Sequence, residues 1–496
     1  MKFFRFFLPR LEHILLIAVF WGIASTGPIL LNSDGDLPRH ILVGKLIRTI
    51  QEVHLTDIFS YRTTGLPSIP HEWLAQVILS GFYDVLGLGG VVFFTAFIVT
   101  VTWAIIYSEA LKRSGSLFTA LLLTGLGLGA SLIHVLPRPH LFSYLFTVLW
   151  ILVLEQIQTD KPQRWWLLPI LTLAWVNLHG MFVLGIVIWI IYLAGDLFEN
   201  SSRDWFRSTK TKSMLAGGGL SFLATFVSPT GFRIWAAIAS LGGNAYIKSR
   251  IPEYQSANFQ MAETWPFILL LLLCIASFAR STSKVRWTDV FLVTAFAGVA
   301  LYSSRMLPVF AIVAVPILAR SFAEWIREDF PNSRFLSMEA NIRRTYEISN
   351  GWIWLPIVVV AVILLFRSNQ AIDPAGKGNA FDPGFFPVEA VNWLESHPQE
   401  GHMFNEFDWG GYILLKLWPK YQIFMDGHTH IYGEALTREY EKVISRSPGW
   451  EEIFEKYQVQ WAIVRTRSPV IDALEEHDWQ ILYEDKTTVI LRKGSE

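Results

Sequence analysis

Two carboxylates stand two residues apart early in the chain, at Asp34 and Asp36, and Arg39 and His40 follow them. Carboxylates beside a helix start can bind a divalent cation, or one of them can act as a general base, and an arginine can hold a phosphate. The same pattern is also typical of an Asx turn and helix cap at a membrane surface. The residue types alone leave both interpretations open.

An imidazole and a carboxylate, His71 and Glu72, come just before Trp73 and the apolar run that follows it. Trp73 by itself indicates the aromatic belt of a membrane interface. His71 and Glu72 are either polar residues of that interface or an acid–base pair that works there. We treat them, with Asp34 and Asp36, as the candidate catalytic residues.

Other polar side chains interrupt tight connections between apolar runs or follow the acidic pair. Ionisable groups so close to a membrane are costly unless they are paired or lie in a wet cavity, which makes them candidate substrate-binding residues. The alternative is that single side chains snorkel at the interface. The candidates are Arg39, His40, Arg138, His140, Asn177, His179 and Arg305.

The segment Asp426-Gly427-His428-Thr429-His430 has an aspartate and two histidines at a spacing that could ligate a metal. An ordinary Asp-Gly turn after the strand-like stretch 421–425 is the favoured interpretation. The glycine-rich stretch 125–129 lies inside an apolar run, which indicates helix packing rather than a nucleotide loop. The sequence contains no P-loop, serine nucleophile elbow or zinc-protease motif.

These residues are carried by a chain of 496 residues, of which 52% are hydrophobic and 17% are charged. The apolar residues form twelve runs, most of them close to the roughly 20 residues that span a bilayer as a helix. The sequence therefore predicts an α-helical polytopic membrane protein. A net charge of −1 gives no excess that would indicate nucleic acid. The single cysteine, Cys274, is expected to pack as a small hydrophobe.

Basic residues occupy every second connection, and the positive-inside rule places such connections in the cytoplasm. The basic segments are the N-terminus with Lys2, Arg5 and Arg10, and the connections 112–113, 161–164, 199–213, 280–286 and 320–344. This pattern requires an odd number of crossings before Lys112, so only one of the runs 73–87 and 89–110 can span. The shorter run, 73–87, contains Asp84 and is predicted to be re-entrant or interfacial. The chain is therefore predicted to have about eleven spans in total and a cytoplasmic N-terminus.

The chain divides into a predicted membrane domain, 1–367, and an external soluble domain, 368–496. An external loop, 32–72, belongs to the first domain and carries a moderately amphipathic stretch, 42–50. Strand-like and helix-like stretches predict a small α/β fold for the second domain. The strand-like stretches are 460–464 and 487–491, and the helix-like stretch is 434–445, which lies between the Asp-Gly turn and these strands. This topology gathers the polar short connections on one external face.

The whole pattern resembles the C-type glycosyltransferase (GT-C) superfamily, which includes oligosaccharyltransferases, protein mannosyltransferases and aminoarabinose transferases. The resemblance rests on an acidic pair after the first span, an amphipathic helix in that loop, many spans and an external α/β domain. Short motifs are also similar to an uncharacterised bacterial branch. They are Asp34-x-Asp36 with His40, Asp57-x-Phe59-Ser60, His71-Glu72-Trp73-Leu74, Asn177-Leu178-His179-Gly180, and Gly410-Gly411-Tyr412 with Asp426-Gly427.

The resemblance implies an enzyme of the bacterial cell envelope, in the inner (plasma) membrane, that moves a sugar from a polyprenyl-phosphate donor to an acceptor at the external face. Asp34 or Asp36 would activate the acceptor or hold a divalent cation such as Mg²⁺ or Mn²⁺. Arg138 and His140 occupy the loop where many relatives carry a second acidic site. A transporter or flippase and a non-catalytic assembly protein are the alternatives, and the long external loop and external domain favour the enzyme.

Overall fold

The computed structural model describes residues 7–159, 161–200, 205–281, 285–348, 350–351, 353–367 and 378–494. Four basic residues of the topology prediction, Lys2, Arg5, Arg203 and Lys284, lie outside these ranges. The first residues of the predicted soluble domain, 368–377, also lie outside them. The predicted boundary between the two domains stays a prediction.

Most of the described chain is α-helical. The helices of the membrane part are α1 (Leu11–Ser25), α2 (Gly27–Asn32), α3 (Leu37–Ile50), α4 (Trp73–Ser114), α5 (Leu117–Ser131), α6 (His140–Thr159), α7 (Leu167–Leu178), α8 (Val183–Glu199), α9 (Thr209–Ala224), α10 (Arg233–Gly243), α11 (Ala245–Arg250), α12 (Trp265–Arg280), α13 (Trp287–Tyr302), α14 (Leu307–Asp329), α15 (Arg334–Ile348) and α16 (Trp354–Arg367).

Six helical segments are long and apolar enough to cross a membrane, and three shorter apolar helices accompany them. The six are Trp73–Ser114, Leu117–His134, His140–Thr159, Gly180–Glu199, Ala262–Arg280 and Ser304–Asp329, and the three are Leu11–Ser25, Trp287–Tyr302 and Trp354–Arg367. The predicted fold class, a polytopic helical membrane protein, is confirmed. The count of eleven spans stays a prediction.

The long helix α4 turns sharply at Gly87, where the backbone has φ 60° and ψ −148°. Beyond the turn, a Cβ on Gly90 would overlap the carbonyl oxygen of Phe82. The rings of Phe82 and Phe94 have centroids 5.3 Å apart, whereas residues twelve apart in a straight helix are separated by about 18 Å along the axis. The runs 73–87 and 89–110 are therefore two helical pieces rather than one straight span.

The first piece of α4 packs against α3, the amphipathic helix of the loop 32–72. α3 covers the predicted stretch 42–50 and begins earlier, at Leu37, directly after the acidic pair. The two helices approach closely at Gly44, whose Cβ would overlap the carbonyl oxygen of Gln76. The packing holds the acidic pair, at one end of α3, next to Glu72 and the start of α4.

Helix α14 lies at the centre of the membrane part, and its residues from Leu307 to Ala319 are all buried. It packs against α4, α5, α12 and α13. A Cβ on Gly127 in α5 would lie 2.5 Å from Val315 Cγ2, which agrees with the prediction that this glycine-rich stretch serves helix packing. Cys274 is buried as expected of a small hydrophobe.

The C-terminal part contains five helices and one four-stranded sheet. They are α17 (Val388–Ser396), β1 (His402–Asn405), α18 (Gly410–Leu417), α19 (Thr429–Ile444), α20 (Trp450–Lys456), β2 (Val459–Arg465), α21 (Val470–Glu475), β3 (Trp479–Glu484) and β4 (Thr488–Lys493). The strand order is β1-β2-β4-β3, with β1 parallel to β2 and the other pairs antiparallel. This confirms a small α/β fold, which we call the C-terminal domain.

The predicted elements of this domain match β2, β4 and α19, and one apolar stretch differs. Residues 421–425 are not a strand of the sheet. Ile423 donates its backbone N–H to the carbonyl of Phe59 at 3.0 Å, and Phe424 donates to Asn405 Oδ1 at 2.8 Å. The stretch is extended because it pairs with the loop 32–72 and with one side chain, so it joins the two parts of the molecule.

Candidate functional site

A cavity of about 660 Å³ lies between the membrane helices and the C-terminal domain. Its wall contains all four predicted catalytic residues, Asp34, Asp36, His71 and Glu72. It also contains six of the seven predicted substrate-binding residues, which are Arg39, His40, Arg138, His140, His179 and Arg305. Residues that are far apart in the sequence thus face one space, although their individual roles stay predictions.

Asn177 is the predicted residue that does not line this cavity. Its Oδ1 accepts a hydrogen bond from Trp73 Nε1 at 2.8 Å, and its Nδ2 donates to the carbonyls of Leu173 and Val227 at 2.9 and 3.0 Å. The amide therefore joins α4 and α7 to the connection after α9. This placement explains a polar residue at the end of α7 without a substrate.

The acidic pair is organised around Arg138. The guanidinium donates through Nε and Nη2 to both oxygens of Asp34, which is 6% exposed. Nη2 also lies 3.2 Å from Asp36 Oδ2. One arginine therefore fixes both carboxylates, with Asp34 held in a bidentate ion pair and Asp36 in a single contact.

The two aspartates also differ in how they meet the backbone. Asp34 Oδ1 accepts a hydrogen bond from the Asp36 N–H at 2.8 Å, which is an Asx turn. Asp36 occupies the position before α3, yet its carboxylate makes no capping hydrogen bond to that helix. The cap interpretation therefore fails for Asp36, whose side chain faces the cavity instead.

The second aspartate of the pair, Asp36, has a higher pKa than an ordinary carboxylate. Burial raises the pKa of Asp36 to about 7, because Arg138 only partly offsets burial and the charges of Asp34, Asp426 and Glu253 add to it. For Arg138 burial disfavours the cation, but Asp36 and Asp34 hold its pKa above the ordinary value. Asp36 can thus exchange a proton near neutral pH while the arginine stays charged.

The same contacts decide whether the acidic pair fits a divalent cation such as Mg²⁺ or Mn²⁺. Both oxygens of Asp34 are taken by Arg138, and Asp36 faces the same guanidinium. A divalent ion bound to these oxygens would lie directly beside a permanent positive charge. In the described ranges no group of three or more His, Cys, Asp or Glu side chains is placed to hold a metal ion. The pair does not fit a divalent cation while Arg138 occupies it.

The acidic pair is enclosed by the backbone of the C-terminal domain. A Cβ on Gly427 would overlap Asp36 Oδ1, and one on Gly35 would overlap the carbonyl oxygen of Asp408. A Cβ on Gly411 would lie 2.7 Å from the Gly35 carbonyl oxygen. Such close approach requires glycine, which gives a physical reason for the Gly-Gly and Asp-Gly motifs of the sequence.

Arg39 joins α3 to the C-terminal domain. Its Nη1 donates to Asp426 Oδ2, its Nη2 lies 4.0 Å from Asp57 Oδ1, and its guanidinium stacks 4.9 Å from the ring centroid of Phe59. Asp426 also accepts a hydrogen bond from the His428 N–H at 3.0 Å, so the predicted Asp-Gly turn is present. Arg39 lines the cavity, but its charge is already matched by buried carboxylates.

Glu72 forms a second acidic centre with histidines around it. Its Oε1 lies 3.4 Å from His179 Nε2. The Nδ1 of His179 is 2.8 Å from Ser143 Oγ and accepts from the Met181 N–H at 3.4 Å, while Trp175 Nε1 donates to the same Ser143 oxygen at 2.8 Å. The Nε2 of the same ring also lies 3.3 Å from Arg305 Nη2, so the His179 imidazole lies between Glu72 and Arg305.

Two further histidines complete this centre. His71 Nδ1 donates to the carbonyl of Ile69 at 3.0 Å, and its Nε2 lies 3.8 Å from Glu72 Oε1. His40 Nδ1 lies 3.9 Å from Glu72 Oε2. Burial opposes the charged form of Glu72, but His71, His40 and His179, together with Arg305, lower its pKa to about 2. Glu72 is therefore ionised at all ordinary pH values, unlike Asp36.

Seven of the twelve histidines of the chain line the cavity, and two of them belong to the C-terminal domain. These two, His428 and His430, were not among the predicted site residues. Their rings lie 3.8 Å apart, and His430 lies 5.5 Å from His71. Burial lowers the pKa of His430 to about 3 and that of His428 well below its ordinary value. The sequence signal was the Asp-Gly-His-Thr-His segment.

Glu253 is a further site residue that the sequence did not indicate. Its Oε1 accepts a hydrogen bond from Arg305 Nη1 at 2.9 Å, and its Oε2 lies 3.4 Å from His134 Nε2 and 3.9 Å from Arg138 Nη1. The backbone carbonyl of Glu253 accepts from Ser303 Oγ at 2.8 Å. Glu253 is one of two acids in the long hydrophilic stretch 231–264 and is part of no distinguishing pattern, so only the fold reveals it.

Comparison with known proteins gives the fold its class. No protein-family model matches the chain, and no curated protein sequence matches it. Among solved structures, the chain is similar to the oligosaccharyltransferase AglB of Archaeoglobus fulgidus in its apo form, with a TM-score of 0.56 at 10% identity over 91% of this chain and 69% of that one. The same enzyme in complex with an inhibitory peptide and a dolichol-phosphate gives the same values.

The chain is also similar to ArnT from Cupriavidus metallidurans bound to undecaprenyl phosphate. The TM-score is 0.52 at 13% identity, and the match covers 97% of this chain and 99% of that one. Because both likenesses extend over nearly the whole chain, they define its architecture. The chain therefore has a GT-C-like fold, which the sequence motifs implied.

Proposed function

We propose that this chain is a GT-C glycosyltransferase that moves a sugar from a polyprenyl-phosphate donor to an acceptor. The observation that carries the proposal is a pair of carboxylates in one cavity whose pKa values lie far apart, about 7 for Asp36 and about 2 for Glu72. Environments that separate two carboxylates in this way assign one to proton transfer and the other to a fixed charge. Dolichol-phosphate and undecaprenyl phosphate in the structural relatives support the donor class.

Asp36 is the general base in this proposal, and Asp34 is its support. The acceptor nucleophile attacks the anomeric carbon of the sugar, the bond from that carbon to the phosphate oxygen breaks, and the phosphate leaves with the electron pair. Asp36 takes the proton of the acceptor. Asp34 cannot do so while Arg138 holds both of its oxygens, so it orients the guanidinium.

Arg305 is the best candidate for binding the phosphate of the donor. It lines the cavity, its Nη1 donates to Glu253 and Tyr254 at 2.9 and 3.1 Å, and its Nη2 lies 3.3 Å from His179 Nε2. Its Nε is buried and has no hydrogen-bond partner in the described part of the chain. A buried guanidinium donor without a partner fits a phosphate oxygen. His140 lines the same cavity and is a second candidate, and ionised Glu72 can accept hydrogen bonds from sugar hydroxyls.

The direction of the chain in the membrane is part of the proposal. Connections that line the cavity alternate along the chain with connections at the opposite helix ends, where the basic residues lie. The positive-inside rule then supports a cytoplasmic N-terminus, a cavity at the external face and an external C-terminal domain. For a bacterial chain this corresponds to the inner membrane, with the domain in the periplasm.

The test uses the purified full-length protein and a panel of radiolabelled polyprenyl-phosphate sugars with membrane acceptors. We expect Asp36→Asn to lower transfer by about 10²–10⁴-fold. The control is Asp472→Asn in the C-terminal domain, whose side chain is 75% exposed, and it should keep the wild-type rate. Wild-type rates in Asp36→Asn would refute the assignment. A flippase would instead move the lipid across vesicles without any transfer of the sugar.

A further inference from the structure

A second large pocket lies at the opposite ends of the helices, far from the cavity of the candidate site. Its volume is about 600 Å³, and it is formed where α4, α14 and α15 meet. Its wall includes Lys112, Arg113, Arg327 and Arg343 and a single acid, Glu339. We call it the basic pocket.

The acid in the basic pocket, Glu339, occupies a position where hydrogen-bond donors already bind a carboxylate. Glu339 Oε2 accepts a hydrogen bond from Ser116 Oγ at 2.5 Å, and Oε1 accepts from the Leu117 N–H at 3.0 Å. These donors are the start of α5, a helix of 15 residues. The Glu339 carboxylate bridges α15 to the positive end of α5, and the donors of that helix end stabilise its negative charge. It therefore offsets only part of the positive charge of the surrounding side chains.

The wall of the basic pocket holds four cations and one acid among the described residues. Arg113 is shared by Glu109 and Glu155, at 3.8 and 3.5 Å. Lys112 has a side chain that is 75% exposed and lies 3.8 Å from the same Glu109. Arg327 donates to a neutral backbone carbonyl, that of Ser114. An excess of cations over acids around one space attracts an anion.

Apolar side chains accompany the charged wall of the basic pocket. Leu336 forms part of its wall. Phe330 and Met338, on either side of the connection from α14 to α15, are about half exposed. The start of α15 is anchored to α5 through the rings of Phe335 and Phe118, whose centroids lie 4.6 Å apart. A helix with arginines and exposed apolar side chains at the ends of membrane spans is typical of an interfacial helix.

We propose that the basic pocket binds the phosphate of an anionic glycerophospholipid in the leaflet opposite the candidate site. A phosphodiester would lie between Lys112, Arg327 and Arg343, and the acyl chains would run along the exposed apolar residues. Basic pockets between helix ends bind lipid head groups in this way. The proposal does not depend on the transferase assignment, because the two cavities share no residue.

The test compares lipid binding to the full-length protein by native mass spectrometry, with phosphatidylglycerol against phosphatidylcholine. Each cation near a membrane surface contributes about five-fold in affinity, so Lys112→Ala combined with Arg343→Ala should weaken phosphatidylglycerol binding roughly 30-fold. The matched control is Lys161→Ala with Lys212→Ala, two exposed lysines of the same face outside the pocket. It should bind like wild type.

Three results would overturn the proposal. Equal loss in the control pair would mean that the surface charge, not the pocket, attracts the lipid. No loss in the pocket variant would mean that the lipid binds elsewhere. Inorganic phosphate that binds the detergent-solubilised protein as tightly as phosphatidylglycerol does would assign the pocket to a free anion. Arg343→Lys with Lys112→Arg, which keeps both charges, should retain binding and so separates loss of charge from loss of folding.

Discussion

The charge on Arg138 controls the acidity of the proposed base, and Arg138→Gln tests this directly. Nη2 of Arg138 lies 3.2 Å from Asp36 Oδ2. Two unit charges at that distance interact by about 1.3 kcal/mol in water and by about 5 kcal/mol at an effective dielectric constant of 20. The side chains are 23% and 27% exposed, so an intermediate value applies. At about 1.4 kcal/mol per pKa unit, the pKa of Asp36 should rise by roughly one to two units.

The assay is the pH dependence of kcat/KM for sugar transfer. The wild-type rate should rise with pH and level off above about 7, because only ionised Asp36 accepts a proton. In Arg138→Gln the midpoint should move to roughly 8–9, so that transfer at pH 7 falls about five- to fifty-fold and recovers in alkaline buffer. A structural defect cannot recover with pH, which separates the two explanations.

The companion variant Asp34→Asn should move the profile in the other direction. Asp34 raises the pKa of Asp36 by its charge, and its removal also frees Arg138 to pair with Asp36. The pKa of Asp36 in the folded protein therefore falls, and the rise of the transfer rate with pH moves to lower pH. If both variants lose activity equally at all pH values with an unchanged midpoint, Asp36 is not the titrating base and the reasoning is wrong.

Three further substitutions test how the site is assembled. Gly427→Ala should displace the carboxylate of Asp36 and lower transfer by about 10²-fold. Gly298→Ala, where an added Cβ lies in open space, should keep the wild-type rate in the same assay. Arg39→Ala leaves Asp426 buried and unpaired, which should cost about 3–5 kcal/mol of stability and appear as faster proteolysis of the C-terminal domain. Asn177→Ala should lower the melting temperature through a loss of about 1–3 kcal/mol, with KM for the donor unchanged; a raised KM would place its amide at the substrate.

The sequence predicted the fold class and ten of the thirty residues that line the cavity, and it did so for a physical reason. Apolar runs of bilayer length are hard to read in any other way, and ionisable groups such as His179 or Arg305 are too costly at a membrane edge to be placed there without partners. The strands β2 and β4 were recognisable because they are apolar and short. The stretch 421–425 has the same composition, yet its partners are a distant loop and one side chain, which no local pattern encodes.

The pairing of charges was beyond the sequence for a similar reason. Nothing in the order Asp34-Gly35-Asp36 indicates which carboxylate an arginine 100 residues later will hold. Glu253 carries no motif, and its role follows only from the contacts with Arg305 and Arg138. Whether Asp34 or Asp36 is the base was therefore open at the level of the sequence, and it depends on one bidentate ion pair.

The C-terminal domain is best understood as one wall of the candidate site rather than as an accessory. Domains that only sit beside one another usually meet through polar, adaptable surfaces. Here Gly35 lies against the backbone carbonyl of Asp408 and Gly427 lies against the carboxylate of Asp36, with no room for a Cβ at either glycine. The buried ion pair of Arg39 with Asp426 joins the two parts behind them. The position of Asp36 is consequently set from both sides, by Arg138 of the membrane part and by Gly427 of the domain. A base held in this way needs no reorganisation when the acceptor arrives, which is the condition for efficient proton transfer.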